Sequence, residues 1–314
     1  MPAIISERKA GQIPYQAAGV GTLKPYREPP QVSFATEYFS QLERFAMRDP
    51  LPRVRALHLP PGRHAQDNRG EFCALELEDG SIGLSFVLLD DTLERLLDGA
   101  EGLGLAGADA LGLARRYAAD SGMWKTLGFA AANALTRCLF DRAGFRPADS
   151  ADSIGHLNPQ PGEHIGMIGK FTPLLRRIVD SGARLTIVEL KPELVGEHDG
   201  YRVTLDAGEL ADCGKVVSTS TLLLNDSVDR MLACCRNARW FAMIGPSAGC
   251  LPDALFARGV TLVGGSWIRD SDGFTSALRR GASLGDYASK FALDAGSYPG
   301  FDALLARAAR AIRQ

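Results

Sequence analysis

The residues best suited to hold a ligand surround a glycine turn between His164 and Gly182. Gly166 and Gly169 follow a short apolar run and precede a helical pattern. The free N–H groups at such a helix start, together with the helix dipole, attract phosphate or carboxylate. Glu189 lies 20 residues after Gly169, about the spacing at which an acid accepts from a ribose hydroxyl in dinucleotide sites. The spacing predicts a nucleotide-like ligand, but the pattern is Gly-x-x-Gly, and a strand–turn–helix without a ligand stays open.

Local signals place this turn between two regular elements. Thr172 stands where an N-cap belongs, Pro173 suits the first helical position, and Gly182 is a typical C-cap glycine. A second strand over 185–190 then ends near Glu189. The turn is therefore predicted to join a buried strand to a helix over 172–181.

The second half of the chain alternates between strand and helix patterns. Strands are expected at 164–168, 185–190, 215–219, 240–245 and 260–264, with helices near 172–181, 226–236, 251–258 and 273–280, an extra strand or loop at 201–206, and a tail helix over 301–313. Such alternation predicts a parallel sheet with helices on both faces, and hence an α/β fold.

Small polar residues follow four of the predicted strands. Because parallel strands share one carboxyl-end rim, these residues should converge there and could hold a ligand. The candidates are Gly169, Lys170, Phe171 and Thr172; Thr219, Ser220, Thr221, Asn225 and Asp226; Gly245, Pro246 and Ser247; and Gly264, Gly265, Ser266 and Asp270. Ser247 and Asp226 also fit simple helix caps, and Lys170 also fits a solvated surface lysine.

The first half carries a hairpin and a buried helix. Asp79-Gly80 predicts a two-residue type I′ turn within 72–88, pairing Leu77 with Ile82, Leu75 with Leu84 and Cys73 with Phe86 on one face. The segment 123–143 is apolar almost all round, which is typical of a buried helix. Asn133 lies in its middle and must be paired, because an unsatisfied buried amide costs about 1–3 kcal/mol. It either bridges the two halves or reaches a ligand.

Composition shifts divide the chain into three parts. Residues 1–50 are expected to form an extended arm and a helix, 51–150 a smaller α+β domain, and 151–314 the larger sheet domain. The Gly- and Pro-rich stretch 144–162 supplies the linker.

The overall composition limits the partners and the compartment. There are 35 basic and 37 acidic residues, so no broad basic excess favours nucleic-acid binding. No apolar run reaches the ~20 residues of a membrane helix, and the N-terminus lacks the order of a signal peptide. We therefore expect a soluble, cytoplasmic protein. The sequence leaves open a homo-oligomer.

The six cysteines include no Cys-x-x-Cys motif, which argues against a zinc ribbon or thioredoxin-like site. Soft-metal ligands could come from Cys213, Cys234, Cys235 and Cys250, or from His156 and His164. The adjacent Cys234 and Cys235 point about 100° apart on a helix, so they share no chelating face. Oxygen ligands from Glu189, Asp226 or Asp270 stay open.

Several segments together resemble the DUF364 family with its preceding DUF4213 region, over residues 54 to 282. The segments are Trp124–Leu135, Gly166–Pro173, Leu185–Glu189, Val217–Asn225, Gly245–Ala248 and Gly264–Gly265. The family carries the label of heavy-metal chelation. The resemblance implies an enolase N-terminal-like first domain, a Rossmann-like second domain, and a pocket where they meet. Lys170, Thr172 and Cys250 depart from the family pattern.

Three kinds of function are compatible with these residues. The first is an enzyme or binder that takes a small anionic, nucleotide-like or metal-complexed ligand between the domains, S-adenosylmethionine and a transferase or lyase reaction included. The second is metal handling without catalysis. The third is an interaction protein, which the Gly, Ser and Thr rim disfavours as the sole role. Neither the cofactor nor the reaction is specified by any residue.

Overall fold

The computed structural model describes residues 32–62, 71–150 and 157–311. The predicted arm up to residue 31 lies outside these ranges, as does His156. The described chain forms a three-stranded antiparallel sheet with helices, followed by an eight-stranded mixed sheet. The predicted α/β class is confirmed at this level.

The first half contains four helices and three strands in the described chain. The helices are α1 (Phe34–Ala46), α2 (Thr92–Gly99), α3 (Ala110–Ala119) and α4 (Gly122–Arg142), and the strands are β1 (Val54–His58), β2 (Phe72–Leu77) and β3 (Ile82–Phe86). Helix α4 packs against α3 on one side and against β3 and β2 on another. Its predicted burial is confirmed, because the consecutive residues Phe129, Ala130 and Ala131 are all fully buried, although successive side chains point about 100° apart around a helix.

The predicted register of the β2–β3 hairpin is wrong by one residue. Leu75 pairs with Gly83 and Glu76 with Ile82, because the Leu77 N–H donates to Ser81 O and closes a three-residue loop over 78–80. Gly80 adopts φ +85° in this loop, a left-handed conformation that glycine tolerates. A one-residue slip changes which side chains share a face.

The slip explains why both faces of the hairpin are buried. Leu75 and Leu77 contact the main core beside α4, whereas Ile82 and Leu84 pack on the opposite side against Ile268, which comes from the second half of the chain. The hairpin thus lies between α4 and the second half.

The second half contains eight strands and five helices in the described chain. The strands are β4 (His164–Ile168), β5 (Arg184–Val188), β6 (Gly196–His198), β7 (Tyr201–Thr204), β8 (Lys215–Thr219), β9 (Trp240–Ile244), β10 (Leu262–Ile268) and β11 (Ala288–Asp294), and the helices are α5 (Thr172–Asp180), α6 (Val228–Cys234), α7 (Asp253–Ala257), α8 (Ser271–Arg279) and α9 (Phe301–Ala311).

The strand order of the large sheet is β11-β10-β9-β8-β4-β5-β7-β6. The six strands from β10 to β7 pair in parallel, and the edge strands β11 and β6 pair antiparallel with β10 and β7. The expectation of a parallel sheet therefore holds for the inner strands, and the edges make the sheet mixed.

The predicted turn at Gly264-Gly265 is wrong. Strand β10 runs on to Ile268, and both glycines lie inside it, paired with Ala292 and Phe291 of β11. A Cβ on Gly264 would lie 2.7 Å from Ile244 Cγ2, and one on Gly265 would lie 2.6 Å from the Phe291 ring. The glycines thus permit close packing across the strand and do not end it.

The two halves share one hydrophobic core. A single cluster of buried side chains runs from α1 through α4 to β9, β10 and α9, with Tyr38, Phe129, Met243 and Leu304 among its members. A second cluster lies between α5 and the strands β4 and β5. Since both halves pack on the same core, the first half is fixed relative to the large sheet.

Candidate functional site

The chain changes direction across the sheet at β4. From β4 it proceeds to β5 and β7 on one side and then returns to β8 on the other. At the carboxyl ends of β4 and β8, the Gly169 turn meets Thr219. A Cβ on Gly169, whose φ is +77°, would lie 2.9 Å from Thr219 Cγ2. In open α/β sheets, ligands bind in the crevice outside such a switch point.

Glu189 follows β5 directly and lies at the same carboxyl edge of the sheet. Its Oε1 accepts from the Lys170 N–H at 2.5 Å, and its Oε2 accepts from the Leu190 N–H at 3.2 Å. Its own N–H donates to Thr204 O of the neighbouring strand β7. The carboxylate is half-buried, so it closes the Gly169 turn and still faces solvent.

The start of α5 differs from the prediction. Phe171, not Thr172, is the N-cap, and its side chain makes no capping hydrogen bond. The Phe171 N–H donates to Met167 Sδ at 3.4 Å. The Glu189 carboxylate caps the preceding amide, so Thr172 is not needed as a cap and becomes the first helical residue. Gly182, at φ +77°, follows the helix end as predicted.

The hydroxyl and amide groups after β8 are organised locally. Thr219 Oγ1 accepts from the Thr221 N–H at 3.4 Å and from its hydroxyl at 3.3 Å. Asn225 Oδ1 accepts from the N–H and the hydroxyl of Ser227. Thr219 and Thr221 are half-buried beside the crevice, whereas the Asn225 side chain shapes the turn into α6.

A continuous rim leads from this crevice to the first half of the chain. The Ser220 hydroxyl occupies the space beside Gly245, where a Cβ would lie 2.2 Å from Oγ. The Gly245 N–H donates to Gly264 O at 3.0 Å. Ser247 follows, fully buried, and its hydroxyl has no hydrogen-bond partner among the described residues. The rim therefore places 169, 219–220 and 245–247 side by side.

Asn133 of α4 joins this rim to the hairpin. Its Nδ2 donates to Leu84 O at 2.9 Å and to Ser247 O at 3.0 Å, and its Oδ1 accepts from the Tyr38 hydroxyl at 3.0 Å. The side chain is 2% exposed. These contacts match the bridging alternative, since the amide donors are used by two backbone carbonyls.

A small cavity lies between the two halves next to Asn133. Its volume is about 30 Å³, and its lining includes Gly83, Arg137, Pro246 and Trp267. One water needs about 10–15 Å³ of such space. In this conformation the cavity admits water-sized molecules and not a nucleotide.

Asp270 lies apart from the crevice residues. It is the N-cap of α8 and accepts from the Gly273 N–H at 3.0 Å. The next residue, Ser271, donates from its hydroxyl to Gly80 O of the hairpin. Because β10 continues to Ile268, Asp270 is carried beyond the level of Gly264.

Sequence reasoning missed two exposed apolar side chains near Glu189. Leu190, the next residue after the acid, is 70% exposed, and Leu205, the residue after β7, is 45% exposed. Thr204 pairs with Val188, so both leucines leave adjacent strand ends. From the sequence alone, an apolar residue at the end of a strand pattern is predicted to be buried in the core. Its exposure becomes visible only once the structure shows where the strand ends.

The described thiols do not fit a soft-metal site. Cys234 is half-buried and the other five are buried. Burial raises the pKa of Cys73, Cys213 and Cys250 to about 12 and also raises the pKa of the remaining three thiols. The thiolate is the form of cysteine that binds metals. The raised pKa of these thiols therefore disfavours metal binding by them.

The imidazole and carboxylate candidates are also engaged. Arg184 donates to His164 Nδ1 at 2.8 Å, and His164 Nε2 donates to Thr186 Oγ1 at 2.9 Å. Asp226 pairs with Lys125 Nζ at 2.7 Å. Across 32–62, 71–150 and 157–311, no group of three or more His, Cys, Asp or Glu side chains is placed to hold a metal ion.

The fold is that of an α/β protein with a mixed sheet, and comparisons link it to one family. Residues 152–295 match the DUF364 family model, described as "Putative heavy-metal chelation". An uncharacterized protein of Methanocaldococcus jannaschii is 30% identical over 152 residues, which cover 47% of this chain and 56% of that relative. The match thus spans little more than half of that curated relative.

Two crystal structures of DUF364 proteins with unknown function share the fold. The protein from Desulfitobacterium hafniense has a TM-score of 0.60 at 17% identity, and the one from Pyrococcus horikoshii has 0.59 at 16%. Each alignment covers 83% of this chain and 99% of the neighbour. The DUF364 resemblance is therefore supported, whereas the preceding DUF4213 region stays a prediction. None of the described helices is long and apolar enough to span a membrane.

Proposed function

We propose that the protein binds a small nucleotide-like ligand at the carboxyl edge of the large sheet, in the crevice between the Gly169 and Thr219 turns. The reversal of strand order at β4 is the observation that carries this proposal, because ligands of open α/β sheets bind at such points. The contact between the two turns, with Gly169 at φ +77°, supports it. A side chain at 169 would clash with Thr219, since its Cβ would lie 2.9 Å from Thr219 Cγ2.

The sheet itself supports a Rossmann-like domain. Read from β7 to β10, the order β7-β5-β4-β8-β9-β10 follows the doubly wound arrangement 3-2-1-4-5-6. We propose that this domain covers 151–314, and that 51–150 forms the enolase N-terminal-like domain before it. The arm and α1 precede both.

Glu189 is the residue proposed to recognise the sugar. It lies at the end of the second strand of this arrangement, where an acid accepts from ribose hydroxyls. The exposed Leu190 and Leu205 supply apolar surface for a base. Thr219 and Thr221 add hydroxyls at the crevice wall. These groups select a ligand with a flat apolar part and hydroxyl donors.

The first half of the chain is proposed to close the site from the β9 side. Asn133 holds Ser247 O and Leu84 O and thereby fixes the rim to the hairpin. A cavity of about 30 Å³ lies beside Asn133. We propose that the predicted pocket between the two halves extends from the carboxyl edge of the sheet toward this cavity. Asn133 then acts as a positioning residue and not as a ligand contact.

The crevice supports a binding function more directly than a reaction. The alternative is a transferase or lyase that uses S-adenosylmethionine, because the nucleoside part of S-adenosylmethionine could bind at the same place. Heavy-metal chelation by the described thiols receives no support from their burial and dispersion. We propose that the partner is a small molecule and that the protein works in the cytoplasm. The nearly even balance of acidic and basic residues disfavours nucleic acid as a partner.

Binding measurements on Glu189→Ala test the proposal. Isothermal titration with adenosine should give saturable binding to the wild-type protein and at least about tenfold weaker binding to the variant, which is the loss of about 1.4 kcal/mol. Glu94→Ala is the matched control, since Glu94 is an exposed glutamate on α2. Equal affinity in wild type and Glu189→Ala would refute the role of Glu189. Native mass spectrometry and elemental analysis of the purified protein would independently reveal a retained nucleoside or metal.

A further inference from the structure

We infer that the crevice selects a nucleoside without a 5′-phosphate and that the Glu189 carboxylate turns phosphorylated ligands away. The inference rests on the proposed function and narrows its ligand class. It concerns the Gly169 turn, the part of the site where a dinucleotide would place its pyrophosphate.

A pyrophosphate site needs several backbone N–H groups that are free to donate. At this turn the first three are already used inside the protein. The Lys170 N–H donates to Glu189 Oε1 at 2.5 Å, and the Phe171 N–H donates to Met167 Sδ at 3.4 Å. The Gly169 N–H donates to Val188 O at 3.0 Å. None of the three is open to a phosphate oxygen without breaking an internal contact.

The first turn of α5 offers little more. Pro173 carries no N–H, and the Leu174 N–H donates to Phe171 O at 3.0 Å. Among the described residues only the Thr172 N–H of this turn keeps no partner, and Thr172 is exposed. A single N–H does not make an anion cradle.

Charge acts in the same direction as geometry. The Glu189 carboxylate occupies the turn as an internal anion, so a ligand phosphate there would face a like charge a few ångströms away. At about 5–6 Å and an effective dielectric constant of about 20, this repulsion is large enough for a tenfold or greater loss of affinity. The nearby cation is Lys170, whose ammonium lies 5.5 Å from the centre of the Tyr201 ring and is free to move because it is exposed.

A neutral hydroxyl meets the opposite situation. Each Glu189 oxygen accepts one backbone N–H in the structure, and a carboxylate oxygen has capacity for a second donor. The hydroxyls of a ribose can therefore add to Glu189 without displacing the turn. The same carboxylate that excludes a phosphate thus recognises a nucleoside.

Titration of matched pairs tests the inference. Adenosine is compared with AMP, guanosine with GMP, and NAD⁺ is added as a dinucleotide, all at one ionic strength. The wild type should bind each nucleoside at least about tenfold more tightly than its monophosphate. Glu189→Gln keeps the size and one acceptor oxygen but removes the charge, so it should reduce this ratio severalfold. Lys170→Met should leave the ratio unchanged or increase it.

The failures of the two ideas are distinguishable. If AMP, GMP or NAD⁺ binds the wild type as tightly as the nucleosides, and Glu189→Ala weakens all of them, the crevice site stands and the inference is overturned. If none of the five compounds binds, both are overturned. Thermal melting of Glu189→Gln shows whether the variant folds. If it does not fold, the wild-type ratios decide: a monophosphate that binds as tightly as its nucleoside overturns the inference.

Discussion

Replacing Asn133 separates a bridge between the two halves from a ligand contact. In Asn133→Ala, Leu84 O and Ser247 O lose their amide donor, whereas the Tyr38 hydroxyl keeps Thr136 Oγ1 at 2.7 Å. A buried polar group left without its partner costs about 1–3 kcal/mol. With two carbonyls affected, and some relief by water in the adjoining cavity, we expect a loss of about 2–4 kcal/mol.

Thermal and denaturant unfolding measure this loss. About 1 kcal/mol shifts Tm by roughly 2–4 °C in a protein of 150–250 residues, so Asn133→Ala should melt several degrees below wild type. Asn133→Asp should be less stable at neutral pH than at acidic pH, because its ionised carboxylate would face both carbonyls. The control is Asn237→Ala, since Asn237 is exposed and makes one amide hydrogen bond, to Ala211 O.

The result that refutes the bridge is a folded Asn133→Ala protein with wild-type stability. A second measurement concerns affinity for adenosine. Near-wild-type affinity at temperatures where the variant is folded fits a bridge, whereas a loss much larger than in Asn237→Ala would place the amide on the ligand.

Two further perturbations follow from charged contacts. Arg258, whose side chain is 6% exposed, pairs with Glu37 at 2.8 Å and with Asp229 at 2.6 Å. Because the two carboxylates are 37% and 22% exposed and stay partly hydrated, Arg258→Ala should cost about 1–3 kcal/mol in urea unfolding and Arg258→Lys less; a wild-type midpoint for the alanine variant would contradict this. Burial, and then the Arg184 guanidinium, lower the pKa of His164. In the unfolded chain this imidazole has its ordinary pKa of about 6.5, so near that pH the unfolded chain binds more protons than the folded protein. Stability should therefore fall as the pH drops below about 6.5. His164→Gln should flatten this fall, and equal slopes in both proteins would show that other groups cause it.

The alternation of apolar runs and helical patterns is enough to predict most of the second half. The inner strands, the helix after Gly169 and the acid after β5 all follow from local signals, because hydrophobic periodicity and turn glycines act within a few residues. The buried α4, with one amide that must be paired, follows in the same way.

Other features depended on groups distant in sequence. Asp79-Gly80 marked a turn but did not specify the loop length or the register, and in the observed register the two faces of the hairpin pack against α4 and Ile268. The sequence predicts a strand end at Gly264 and Gly265, yet both lie inside β10. They are glycines because Ile244 and the Phe291 ring occupy the space that a side chain at 264 or 265 would need. Sequence patterns cannot distinguish a glycine that ends a strand from one that admits a neighbour.

The candidate site shows the same division. The sequence by itself determined that Gly169 lies at a turn and that Glu189 follows a strand. Only the tertiary structure decided that the Glu189 carboxylate accepts a hydrogen bond from the Lys170 N–H, that Thr219 contacts Gly169, and that Asn133 donates a hydrogen bond to Ser247 O. These contacts join segments 19 to 114 residues apart, and their geometry is set by the order of strands in the sheet, which local residue preferences do not encode.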